Sequence, residues 1–149
     1  MSIEHNKTIV RRFFEEVYNQ GDLALIEELF APSFGGPKSA HYGVHGPEAA
    51  RRGVAAMRDA FPDIRFTVEE LVAEGERVVV RVTFRGTHQG SFMGVAPTGR
   101  QVTVAGVEQA RLSGGRIAEE VWHNYDLLGL LEQLGAVTIH RPPATDHRL

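Results

Sequence analysis

Gly115-Arg-Ile-Ala-Glu-Glu-Val-Trp-His-Asn-Tyr-Asp-Leu-Leu-Gly-Leu-Leu-Glu-Gln-Leu-Gly135 is the stretch on which the fold turns. It leaves a Gly-Gly turn, runs as a strand-like segment from Arg116 to Tyr125, and passes without a linker into a short apolar helix. That helix spans Asp126 to Leu134 and is closed by Gly135. Side chains alternate along a strand, so Trp122, Asn124 and Asp126 are expected on one face and Val121, His123 and Tyr125 on the other. One of these faces must meet a core or a pocket. If it is the first, a carboxylate, an amide and an indole converge there.

Working upstream, the same two-residue period recurs. Gln101 to Leu112 reads as a strand, joined to the last one through Ser113-Gly114-Gly115. Arg77 to Arg85 is rich in β-branched residues, with Val78, Val80, Val82 and Phe84 on one face and Val79, Arg81, Thr83 and Arg85 on the other. Ile64, Phe66 and Val68 alternate ahead of the hairpin turn Glu74-Gly75-Glu76. Between the second and third strands lies a glycine-punctuated loop, Gly86 to Gly99, carrying His88, Phe92 and Met93.

Before residue 62 the period is helical. Ile9, Phe13 and Val17, flanked by Val10, Phe14 and Tyr18, predict a helix over Asn6 to Tyr18, stopped by Gly21. Asp22 caps a second helix, Leu23 to Phe30, ended by Ala31-Pro32. Gly46-Pro47-Glu48 starts a third, which runs to about Ala60. Residues 33–46 are expected to be loop, with a short extended piece around Ala40-His41-Tyr42. Three helices, about four hairpin-linked strands and a short final helix give an α+β fold whose curved antiparallel or mixed sheet wraps around the N-terminal helices. Such a sheet leaves a cavity between itself and the helices. Residues 1–137 are expected to form this single domain. The tail, 138–149, has no periodicity and is expected to be poorly ordered or to lie on a partner.

Composition narrows the function classes. The 149 residues contain no cysteine, which excludes disulfides, thiol nucleophiles and thiolate metal sites. A net charge of -3 argues against a broad nucleic-acid surface. No apolar run reaches the roughly 20 residues of a membrane helix, and the N-terminus has no apolar signal core, so no membrane association and a cytoplasmic location are expected. His41 and His45 straddle glycine and proline turns and make a poor metal pair, so no metal is expected.

Several motifs carry a resemblance. Phe14-Glu-Glu-Val-Tyr-Asn-Gln-Gly-Asp22, Gly86-Thr-His-Gln-Gly90, Met93-Gly-Val-Ala-Pro-Thr-Gly99, Gly115 to Trp122 and Asp126-Leu-Leu-Gly-Leu-Leu-Glu-Gln-Leu-Gly135 resemble the SnoaL-like polyketide cyclases, or ester cyclases, of the nuclear-transport-factor-two-like superfamily. The resemblance covers roughly residues 6 to 137. It implies an α+β cone with a deep pocket for a hydrophobic small molecule, and a homodimer formed through the sheet. It further implies ring closure by intramolecular aldol condensation without cofactor or metal. An acid/base aspartate near the end of the chain is implied as well, carried over here to Asp126.

Aldol closure needs a base beside a carbonyl, donors for the enolate and an acid for the receiving carbonyl. A carboxylate in an apolar pocket suits the first and last of these. Asp126 is therefore the first catalytic candidate, its alternative being the N-cap of the last helix. His88 is the second, its alternative being a loop histidine bonded to backbone. Phe14, Tyr18, Phe92 and Met93 are candidates for an apolar lining or for plain core. Trp122 is a pocket wall or core residue, Asn124 an enolate donor or a strand-end contact, and His41 a pocket-border or solvated loop residue. Two other functions stay open: a ligand-binding or accessory protein without turnover, and an epoxide hydrolase or isomerase. The hydrolase needs an Asp-Arg-Asp arrangement holding water, and no second buried aspartate stands out to pair with Asp126.

Overall fold

The computed structural model describes residues 2–143. Helix α1, Ile3–Arg12, begins where the Ser2 hydroxyl accepts the His5 N–H at 3.1 Å, and it carries Glu4 at its positive end and Arg11 and Arg12 at its negative end. It continues as a wider π-helical segment, Phe13–Tyr18, closed by Asn19 N–H on the Phe14 carbonyl at 3.1 Å. This segment buries Phe13, Phe14, Val17 and Tyr18, the residues of the apolar stripe. The Asn19 side chain pins this end to the sheet: its oxygen accepts the Phe66 N–H at 2.7 Å and its amide donates to the Phe66 carbonyl at 2.8 Å.

A tight turn, Leu23–Leu25, leads into the short α2, Ile26–Leu29. Then come β1 (Phe30–Gly35), α3 (Pro37–Tyr42), α4 (Pro47–Ala60), β2 (Arg65–Glu74), β3 (Arg77–Thr87), β4 (Gln101–Ser113), β5 (Arg116–Tyr125) and α5 (Leu127–Gln133). The sheet order is β1-β5-β4-β3-β2, with β1 parallel to β5 and every other pair antiparallel. This is the α+β fold with a mixed sheet that the periodicities predict.

The inner face is apolar in the register expected for β3. Val78, Val80, Val82 and Phe84 are all buried, whereas Arg81 and Thr83 lie on the outer face, where they meet Glu70 and Glu69. Aromatic rings join helices to sheet: Tyr18 and Phe66 lie 4.6 Å apart between centroids, and Phe66 and Phe84 5.5 Å.

Residues 33–46 differ from expectation. They contain the second half of β1 and the helix α3, not a loop with an extended piece at Ala40-His41-Tyr42. Pro37 opens α3 and Gly43, in the left-handed conformation, closes it, so the glycines that suggested a loop are helix punctuation. Of the tail, residues 138–143 have no regular secondary structure and Arg141 pairs with Glu132 at 2.9 Å. Residues 144–149 lie outside the described part.

Candidate active site

The site is built on the ladder between β4 and β5, and two bulges decide which side chains enter it. Leu112 pairs with Ile117, but Arg111 pairs with Glu119; Ala110 pairs with Glu120, but Gln109 pairs with Trp122. Ala118 and Val121 are therefore extra residues on β5. Each extra residue resets the alternation. The inner face then receives Ile117, Glu120, His123 and Tyr125, opposite Leu112, Ala110, Glu108 and Gly106.

Glu108, His123 and Tyr125 of this face line a cavity of about 610 Å³, within the roughly 300–1,000 Å³ of small-molecule sites. Its walls are mainly apolar: Met57 from α4, Phe66 and Phe84 from the sheet, Phe92 from the loop, and Leu127 and Leu130 from α5. Tyr18, Lys38, Glu108, His123 and Tyr125 bring polar groups to it. A smaller hollow of about 300 Å³, lined by Arg65, Arg85 and Thr103, lies on the outer face of the sheet and has no share in this network.

The polar groups form a chain. The Lys38 ammonium lies 2.9 Å from Glu120 Oε1 and 3.9 Å from Glu108 Oε2. The Lys38 backbone N–H also points to Glu120 Oε2, at 3.4 Å. His123 Nδ1 meets Glu120 Oε1 at 2.8 Å, and the Tyr125 hydroxyl donates to Glu108 Oε1 at 2.5 Å. The Glu120 side chain is only 5 % exposed, Glu108 12 % and Lys38 17 %, whereas His123, at 39 %, stands at the mouth. Glycines let α3 deliver its lysine. Gly36 has φ 124°, and a Cβ there would overlap the Glu120 carbonyl oxygen, so α3 starts in direct contact with the β5 backbone. Gly53 of α4 leaves room for the Lys38 stem, 3.3 Å from where its own Cβ would stand.

Burial and pairing set the charges. Burial alone would push the Glu120 carboxyl up, but Lys38 and the His123 hydrogen bond outweigh it and hold the group well below the usual carboxylate range. The hydrogen bond to Glu120 raises His123. For Lys38, burial works against the charge, yet Glu108 and Glu120 keep it firmly protonated. Burial and the neighbouring Glu108 push the Tyr125 phenol well up, so it stays a neutral donor.

Among the residues expected at the site, Tyr18, His41, Phe92, Met93 and Asn124 line this cavity. Four others lie elsewhere. Asp126 is exposed, and its Oδ1 accepts the Gly129 N–H at 2.9 Å; it caps α5 and is not among the cavity's lining residues. Trp122 is 42 % exposed, opposite Gln109, because the Val121 bulge turns it to the other side. Phe14 is core, stacked on Tyr18 at 6.1 Å. His88 is fully buried behind Phe61, its Nδ1 accepting the Thr98 N–H at 3.2 Å. Lys38, Glu108, Glu120, His123 and Tyr125 were not singled out for the site. Glu108 had a signal: it is the one acid in the inward register Val102, Val104, Gly106, Glu108, Ala110, Leu112. Glu120 had none, since only the bulge brings it to the face of His123.

Known proteins share this architecture. The family model for the SnoaL-like polyketide cyclase matches residues 8–134. Nogalonic acid methyl ester cyclase of Streptomyces nogalater is 28% identical over 79% of this chain and 89% of its own length. Aklanonic acid methyl ester cyclase AcmA of Streptomyces galilaeus is 29% identical over 93% of this chain and 94% of its own. Among solved structures, TsrD from Streptomyces laurentii superposes with a TM-score of 0.83 at 28% identity, covering 92% of this chain and 99% of that one.

Proposed function

The chain belongs to the SnoaL-like polyketide cyclase family, and from that premise we propose that it closes a ring in a hydrophobic carbonyl compound by intramolecular aldol condensation. In this proposal Glu108 is the base and His123 the acid. The observation that carries it is the unequal use of the two buried carboxylates. Glu120 is fully engaged by Lys38 and His123, whereas Glu108, which lines the cavity, has one oxygen held by Tyr125 and the other 3.9 Å from Lys38, beyond hydrogen-bond reach.

The Glu108 carboxylate takes a proton from a carbon flanked by carbonyls, and the C–H electron pair becomes an enolate. The enolate carbon bonds to the second carbonyl carbon, and the resulting alkoxide takes a proton from the His123 imidazolium. Glu108 and His123 are direct cross-strand partners, so the carboxylic acid returns its proton to the imidazole. No proton is gained or lost and the product is an isomer of the substrate. Glu120 holds the imidazole ring, raises its basicity and leaves Nε2 free for the substrate. The aromatic walls bind the ring system and exclude water.

Two carboxylates bridged by a cation is also what a water-activating epoxide hydrolase would need. Here the bridge is Lys38, and Glu120 is held ionised and cannot donate a proton to an epoxide oxygen, which favours the cyclase. The test is direct. The compounds named in the relatives, nogalonic acid methyl ester and aklanonic acid methyl ester, are incubated with the protein and cyclised isomers sought by chromatography and mass. Glu108→Gln and His123→Gln should each lower kcat about 100- to 10,000-fold with little change in KM. Wild-type turnover that survives Glu108→Gln intact would remove Glu108 as the base.

A further inference from the structure

We propose that Gly106 and Tyr125 are positioning residues for Glu108, a device built from one glycine, one cross-strand phenol and the carboxylate two residues further along β4. The inference rests on Glu108 as the group that faces the substrate.

The geometry is a small square on the inner face. Gly106 pairs with Tyr125, and Glu108 pairs with His123. Residues 106 and 108 share a face of β4, as 123 and 125 share a face of β5. A Tyr side chain standing upright on β5 would point into the cavity, away from Glu108. Instead the ring lies across β4 over Gly106: a Cβ at position 106 would overlap the ring at Cδ1 and Cε1. Flattened in this way, the hydroxyl reaches back to Glu108 Oε1 at 2.5 Å. Gly106 has no positive φ to explain its presence, and a glycine weakens the interior of a strand. The close approach of the ring is its physical reason.

The consequence for Glu108 is orientation. Tyr125 is buried enough to stay a neutral donor, so it engages one carboxylate oxygen in every catalytic state and turns the other toward the substrate. Without that anchor the carboxylate would be free to rotate toward Lys38, now 3.9 Å from Oε2, and to close a second full ion pair like that of Glu120. The base would then be masked.

The test reads the protein itself, as the full chain without ligand. Glutamate carboxyl carbons and tyrosine ring carbons are labelled with 13C, and the Glu108 signal is assigned by its disappearance in Glu108→Gln. The Glu108 signal should shift in Tyr125→Phe. It should shift the same way in Gly106→Ala, and no further in the double variant, because both changes break one link. In the cyclisation assay each single variant should lose about 10- to 100-fold in kcat, the weight of one hydrogen bond to a charged group, with KM nearly unchanged. A Glu108 signal unmoved by Tyr125→Phe overturns the proposal; that variant keeps the ring and so stays readable even if Gly106→Ala misfolds. Tyr125 ring signals unmoved by Gly106→Ala overturn the part assigned to Gly106. Shifts as expected in a protein that never cyclises an ester would sink only the aldol reading, while intact turnover without the shifts would sink only the positioning.

Discussion

At the scale of single residues, Lys38 decides whether the site can exist. It stands between two carboxylates in a largely apolar hollow, with its ammonium 5.7 Å from the centre of the Phe13 ring. Replacing it by Met would leave the buried Glu120 with only the partly exposed His123 to balance its charge, a defect that costs up to about 3–5 kcal/mol. Urea unfolding of Lys38→Met should show a loss of that order, and Lys38→Met/Glu120→Leu should recover most of it; a single variant as stable as wild type would mean the pair is solvated. The pH dependence has two signs. Glu120 titrates lower in the folded chain than in the unfolded one, so the unfolded state binds the extra proton. Its contribution is complete above the ordinary carboxylate range and is lost as pH falls through the depressed folded value. His123 is raised, so its contribution is complete below the ordinary imidazole range near about 6.5 and is lost as pH rises through the folded value. Stability measured from pH 3 to 9 should therefore lose part of its acid-side slope in Glu120→Gln, together with the neutral-side slope that His123 owes to Glu120, whereas His123→Gln should lose the neutral-side slope and keep most of the acid-side one.

At the scale of elements, the bulge at Val121 does most to make the site. It is also where sequence reasoning stops. Strict alternation correctly groups His123 with Tyr125, and Trp122 with residues of the other set, but nothing in Glu119-Glu120-Val121-Trp122 announces an extra residue. The acid with a helix after it, Asp126, had the sequence pattern of an N-cap as much as of a catalyst, and the cap is what the backbone uses. α3 was hidden for a different reason: six residues between glycines are too few to show a helical period, yet they carry Lys38. By contrast the long helix α4 and the Val78–Phe84 alternation were legible, because each repeats its period several times. Deleting Val121 removes only the unpaired residue, so Ala110–Glu120, Gln109–Trp122 and Glu108–His123 can pair as before and His123 and Tyr125 should stay inward. In such a variant the His123 imidazole, monitored by NMR, should keep its elevated titration beside Glu120; loss of that elevation would mean that the bulged backbone itself is needed to hold the pair. Gly36→Ala tests the other support. Its Cβ has no space against the Glu120 carbonyl and its φ disfavours any side chain, so a loss of at least about 1–3 kcal/mol is expected on thermal unfolding.

At the scale of the molecule, the sheet separates two environments. Its inner face is apolar except for the β4–β5 ladder, and its outer face carries charges such as Arg65, Arg81, Arg85 and Glu119. Two of the hollows among the described residues differ in lining: about 610 Å³ of mostly apolar space inside and about 300 Å³ lined mainly by polar residues outside. A flat, uncharged aromatic ligand belongs in the first. Ligand that binds only the folded state raises stability by RT ln(1 + [L]/Kd), about 2.7 kcal/mol at a hundredfold excess over Kd. For a domain near 150 residues this corresponds to a Tm rise of roughly 5–10 °C. A hydroxyanthraquinone, which has fused rings and no ring left to close, should produce such a rise in the wild-type chain. Met57 lines the inner hollow, and Met57→Trp would fill part of it without adding charge, so the rise should shrink severalfold in that variant. Arg85→Ala, which alters only the outer hollow, should leave it intact. The reverse pattern, with sensitivity to Arg85→Ala and none to Met57→Trp, would place the ligand on the outer face, away from the β4–β5 ladder to which the proton transfers are assigned.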